Sequence, residues 1–123
     1  MGKILKYHHI SFKAACQGVL WAIKTQPNFR VHLLFSVLAI GAGIFFGIRQ
    51  VEMAIIIFTI ILGLTAEMIN TSLEAMTDLI TTEWRENAKI AKDVSAGMML
   101  VTAAGAVVIA VIIFLPYIQK RFF

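Results

Sequence analysis

The chain has 123 residues, of which 59% are hydrophobic and only 15% charged, with a formal net charge of +4. That length allows one domain, and a mean hydropathy of +0.84 excludes an ordinary soluble domain in favour of an integral membrane protein. The basic residues are scattered rather than clustered with aromatics, which indicates no nucleic-acid partner. The single cysteine, Cys16, excludes an intrachain disulfide and a multi-cysteine metal site.

Residues 1–9 are basic but lead into no signal-peptide core or cleavage site, so the whole chain is expected to be the mature protein. Over residues 10–25, Phe12, Ala15, Cys16, Val19 and Ile23 repeat at helical spacing, with Lys13, Gln17 and Lys24 on the other side. This is an amphipathic helix, suited either to lying in the membrane surface or to packing on the end of a helix bundle. Pro27 is expected to stop it, with Asn28 and Arg30 in the turn.

Residues 31–48 are apolar apart from His32 and Ser36, long enough to span a hydrocarbon core of about 30 Å. Gly41, Gly43 and Gly47 point to close helix contacts. Arg49, Gln50 and Glu52 form a short polar turn, so a second, antiparallel span is predicted over residues 53–79. Residues 80–93 are the longest polar connection, read as a brief turn near Thr81 and Thr82 followed by helix. A third span follows over residues 94–116, with Lys120 and Arg121 in the tail.

Five basic residues precede the first span (Lys3, Lys6, Lys13, Lys24, Arg30), and Arg85, Lys89 and Lys92 lie in the 80–93 connection. Three spans put both segments on one side, which the positive-inside rule makes cytoplasmic. The expected architecture is therefore all-α, an N-terminal surface helix followed by three transmembrane helices in a single domain, 1–123, with the N-terminus in the cytoplasm.

The end of the second span carries the chemistry. Glu67, Asn70, Glu74 and Asp78 are spaced i, i+3, i+7 and i+11 with no Gly or Pro between them. At roughly 100° per residue they fall within about 80° of one face. Acids so placed are costly against lipid and should face partners, water or a cation. Glu67 is the deeper carboxylate, which suits a general base. Glu74, nearer the cytosol with Asp78, suits a hard cation such as Mg²⁺. Lys92 can meet phosphate as a point charge, and Asp93 can orient or balance it.

Together these parts fit phosphoryl transfer, and no Gly-rich phosphate loop is present to suggest a Walker or protein-kinase fold. Other readings stay open: Asp78 and Lys92 as solvated helix ends, Asn70 as a helix–helix contact, and Trp84 and Arg85 as an interface anchor and a topology charge. His8, His9 and His32 lack metal-ligand spacing and read as interfacial. As a whole, a proton-coupled transporter or an inactive structural subunit are the rivals.

The run Glu67-Met-Ile-Asn70-Thr71-Ser72-Leu73-Glu74-Ala-Met-Thr-Asp78, followed by Ala91-Lys92-Asp93-Val94-Ser95-Ala96-Gly97, resembles the two signature blocks of the small prokaryotic diacylglycerol kinases. The resemblance implies an ATP-dependent lipid kinase of the bacterial cytoplasmic membrane. It further implies a homotrimer with active sites shared between neighbours, and Mg²⁺ with ATP. Glu67 would be the proton acceptor and Glu74 a metal ligand. Asn70, Asp78, Lys92 and Asp93 would contact ATP or orient the groups that do, with Glu83, Trp84 and Arg85 beside the nucleotide and Ala96 beside the lipid.

Where the family carries a metal-sharing glutamate, this chain has Gln26, whose amide oxygen can ligate Mg²⁺ without adding charge. The family's early arginine has no clear counterpart in Lys6-Tyr7-His8-His9. Members act on diacylglycerol or on undecaprenol. Phe29-Arg30-Val31-His32-Leu33 and Ser95-Ala96-Gly97 resemble the undecaprenol-kinase branch.

Overall fold

The computed structural model describes residues 2–123, with side chains from residue 11 onward; Lys3, Lys6, Tyr7, His8 and His9 therefore lie outside the described side chains. Four helices follow in order: α1 (Gly2–Thr25), α2 (Pro27–Phe46), α3 (Gln50–Ile80) and α4 (Glu86–Phe122). The last three are long and apolar enough to cross a membrane. At 1.5 Å per residue, the 31 residues of α3 and the 37 of α4 reach about 46 and 55 Å. Both exceed a hydrocarbon core of about 30 Å, so their ends stand clear of it.

Pro27 plays a different part from the one expected. It is the first residue of α2, and only Gln26 separates the two helices. A proline at that position forfeits no helical hydrogen bond, because the first-turn N–H groups have no intrahelical acceptor. Asn28 and Arg30 are consequently helical. On α1, Ala22 is buried and Ile23 half-buried, while residues 11–20 are exposed. Of the predicted apolar stripe, only its C-terminal end meets α2.

The glycines of the first span divide their work. Gly43 is buried, and a Cβ there would lie 2.6 Å from the Met53 Cε, so α3 approaches closely at this level. Gly47 ends α2 at φ 61, a left-handed conformation that favours glycine. The Ile48 and Gly47 N–H groups close back onto the carbonyls of Gly43 and Ile44 at 3.1 and 3.2 Å. Gly41 has open space on its Cβ side and makes no such contact.

α3 and α4 run antiparallel, and three polar pairs mark their register. Tyr117 donates its hydroxyl to Glu52 Oε2 at 2.6 Å, Ser95 donates to Asn70 Oδ1 at 2.5 Å, and Lys92 donates to Asp78 Oδ1 at 2.6 Å. Glu52 also accepts from the Arg49 backbone N–H at 2.9 Å and pairs with its guanidinium at 2.8 Å. One carboxylate thus ties the α2–α3 turn to the far end of α4. Tyr117→Phe should lower stability in detergent by about 0.5–2 kcal/mol. Unchanged thermal unfolding of that variant would show the tie to be idle.

α4 continues as helix through Pro116, the expected end of the third span, to Phe122. Proline costs little in a helix where neighbouring helices and local adjustment re-satisfy the freed carbonyl. The connection between α3 and α4 is irregular over residues 81–85, longer than the brief turn expected at Thr81 and Thr82. The Thr81 hydroxyl accepts from the Glu83 N–H at 3.1 Å and shapes it.

Candidate functional site

The first half of the stripe on α3 faces inward, while Glu74 and Asp78 are exposed. Glu67 is 2% exposed and Asn70 6%, in a helix otherwise rich in exposed apolar side chains. From Arg49, at the start of α3, to Glu67 is about 27 Å along the axis, close to the far edge of the hydrocarbon core. Glu74 lies about 10 Å further on, beyond it, and is exposed.

Glu67, Asn70 and Glu74 line one cavity of about 420 Å³, with Asn28 and His32 from α2 and Ala96 and Met99 from α4. The Glu67 carboxylate has no hydrogen-bond or ion-pair partner among the described residues, yet none of its oxygens is sealed from solvent. It therefore opens onto this cavity. A carboxylate left unpaired in such surroundings is expensive, and no protein group competes for whatever it meets there.

Asn70 organises the rest. Its amide nitrogen donates to Glu74 Oε1 at 3.2 Å while its oxygen accepts from Ser95 on α4. Ser95 is buried, so the α3–α4 packing holds the amide and the amide holds Glu74. Glu74 lines the cavity, and its second oxygen has no partner among the described residues, which leaves it available to a cation.

A second cavity, of about 490 Å³, lies next along α3. Asp78, Glu83, Trp84, Arg85, Lys92 and Asp93 line it, together with Thr77 and Lys89. Glu74 and Asp78 are one turn apart, which makes the two cavities neighbours. The charge pairing inside the second cavity differs from expectation. Lys92 pairs with Asp78, and Asp93 pairs with Lys89 one turn back on its own helix rather than with Lys92. Arg85 and Glu83 pair at 2.9 Å. These groups are exposed, apart from the half-buried Lys92, so each pair contributes little to stability and can be exchanged for a charged ligand.

Three placements depart from the sequence reading. Gln26 lines neither cavity: it is half-buried at the α1–α2 joint, where its amide donates to the Thr25 hydroxyl at 3.3 Å. Asn28, expected in a turn, is helical and lines the Glu67 cavity. His32, read as interfacial, is half-buried and lines it too. The remaining residue missed is Ser95, which the sequence offered only as part of a motif.

The Glu67 cavity continues into an apolar groove of about 450 Å³ between α2, α3 and α4, with Val31, His32 and Ala103 lining both. The hydroxyls along the groove are already engaged. Ser36, Thr59 and Thr102 donate to the carbonyls of His32, Ile55 and Met98, at 2.6, 2.8 and 2.8 Å.

The sequence has relatives of known name. The sequence profile of the prokaryotic diacylglycerol kinase family matches residues 13–114. A diacylglycerol kinase of Synechocystis is 37% identical over 87% of this chain and 62% of its own length. An undecaprenol kinase of Bacillus subtilis is 35% identical over 86% of each chain, and a diacylglycerol kinase of Haemophilus influenzae is 30% identical over 68% of this chain and 70% of its own. With the profile covering most of the chain, including all of α2 and α3, the chain belongs to the prokaryotic diacylglycerol kinase family.

Proposed function

We propose that the protein is an ATP-dependent lipid kinase of the bacterial cytoplasmic membrane, transferring the γ-phosphate of ATP to the hydroxyl of a membrane lipid alcohol. The observation that carries this reading is the Glu67 carboxylate, without a hydrogen-bond or ion-pair partner among the described residues, facing a cavity that opens into an apolar groove on one side and adjoins a charged cavity on the other. Lipid chain, acceptor hydroxyl and nucleotide each have a place in that sequence of spaces.

Glu67 takes the proton of the hydroxyl as its oxygen attacks the γ-phosphorus, and ADP leaves with the electrons of the broken P–O bond. Lys92, Arg85 and Lys89 offer cationic donors to the phosphates in the second cavity, exchanging for them the acids they pair with. Trp84, 78% exposed at its mouth, offers a face to the base. Ala96, small and on the wall of the Glu67 cavity, leaves room for the lipid headgroup.

Mg²⁺ fits the donors present. Among the described residues no group of three His, Cys, Asp or Glu side chains could hold a metal. Mg²⁺ is commonly held by one or two carboxylates with substrate phosphates and water, and Glu74, oriented by Asn70, meets that need. The ion would neutralise charge on the phosphates. Gln26, two residues before the cavity-lining Asn28, is proposed to offer the ion an uncharged amide oxygen. A homotrimer is proposed on the family resemblance; the apolar faces that α2 and α4 leave exposed in one chain are available to neighbours and lipid. α1, with its lysines and its exposed Phe12 and Trp21, is proposed to lie in the cytoplasmic surface.

Undecaprenol is favoured as acceptor over diacylglycerol. The groove hydroxyls are all spent on their own helices, so the ester carbonyls of a diacylglycerol would find few donors there, whereas an isoprenoid chain needs none. The deciding experiment gives purified protein radiolabelled ATP with undecaprenol and diacylglycerol in mixed micelles. Label should appear in phospholipid, more in the polyprenyl phosphate. Transfer to diacylglycerol alone would reverse the choice of acceptor, and transfer to neither would discard the kinase reading.

A further inference from the structure

His32 stands at a junction the reaction as written does not use. It lies on α2, and with Val31 and Ala103 it lines both the Glu67 cavity and the apolar groove. Its ring faces α3 at Gly63, where a Cβ would lie 3.8 Å from Nδ1, an ordinary contact distance. Gly63 and Glu67 are one helical turn apart on the same face of α3. The imidazole therefore lies one turn from the carboxylate, on the groove side.

The donors around it are accounted for. The hydroxyls of Ser36, Thr59 and Thr102 are given to backbone carbonyls, and one N–H of the Asn70 amide to Glu74. The His32 ring has no hydrogen-bond partner among the described residues, and neither of its nitrogens is sealed off without one. An imidazole in either protonation state carries at least one N–H. A lipid alcohol with its chain in the groove would bring its hydroxyl past this N–H before reaching Glu67.

We propose that His32 donates a hydrogen bond to the oxygen of the acceptor hydroxyl while that O–H points at Glu67. This role rests on the lipid-kinase reading above. The histidine proton stays on the ring throughout. The hydroxyl proton passes to Glu67, the new O–P bond forms, and the bond from phosphorus to the ADP oxygen breaks. Held between a donor and a base, the oxygen directs its remaining lone pair at phosphorus, so His32 contributes orientation, which weighs heavily in phosphoryl transfer.

The test compares wild type, His32→Ala and His32→Gln in mixed micelles containing undecaprenol or diacylglycerol with radiolabelled ATP. His32→Ala should lower kcat toward the accepted lipid by about 10–100-fold, with the KM for MgATP within about twofold and thermal unfolding unchanged. His32→Gln, which restores an N–H donor of similar reach, should recover much of the loss. Full kcat in His32→Ala overturns the role. So does an equal loss in both variants accompanied by lowered thermal stability, which marks a packing residue. A wild-type protein that labels neither lipid overturns the kinase reading itself, and this role with it.

Discussion

Glu67→Gln should reduce lipid phosphorylation by about 10²–10⁴-fold, the range expected for loss of a general base, and should leave the fold intact or slightly more stable. The two halves of this expectation come from one observation. Because Glu67 has no protein partner among the described residues, the amide breaks no hydrogen bond or ion pair. Because it is 2% exposed, removing its charge removes a desolvation cost. A structural acid would behave in the opposite way, its replacement leaving a donor unpaired and lowering stability. Initial rates and thermal unfolding of the same preparation give both numbers. A variant with near-normal turnover would dismiss Glu67 as the base, and one that unfolds early would make it a structural residue.

Asn70→Ala should act on two properties together. It removes the hydrogen bond that orients Glu74 and the acceptor that the buried Ser95 hydroxyl uses. Loss of the interhelical bond should cost about 1–2 kcal/mol of stability. Releasing Glu74 should raise the KM for MgATP by about tenfold or more, as loss of an orienting partner commonly does at metal sites. Ser95→Ala provides the contrast. It severs the α3–α4 tie but leaves Asn70 on Glu74, so stability should fall with a much smaller change in KM. The double variant should be no worse than Asn70→Ala alone, since both lie on one chain of contacts. A KM for MgATP unchanged in Asn70→Ala would separate Glu74 from the nucleotide's cation.

Much of this was legible in the order of residues, for reasons that need no tertiary contact. Apolar runs of membrane length declare spans, because any polar backbone or side chain in hydrocarbon must be satisfied locally. The helical period then aligns Glu67, Asn70, Glu74 and Asp78 without knowledge of what they face. Pro27 shows the limit of such local signals. A proline ends one helix and begins the next by the same chemistry, and only the backbone shows that a single residue, Gln26, lies between them.

What the amino-acid order determined on its own is the number of helices long enough to cross, the acidic stripe at the end of α3, and the likeness to a kinase family. Tertiary structure alone decided which partners the stripe meets. The apolar residues of α2 form no distinct face, so its hydrophobic pattern does not say which side turns toward α3; the packed structure brings His32 and Asn28 to the Glu67 cavity. Ser95 meets an amide 25 residues away, and Lys92 takes Asp78 while Asp93 takes Lys89. The difference is one of range: hydropathy and helical period are properties of neighbouring residues, whereas the rotation of one helix against another is set by side chains that meet only once the chain has folded.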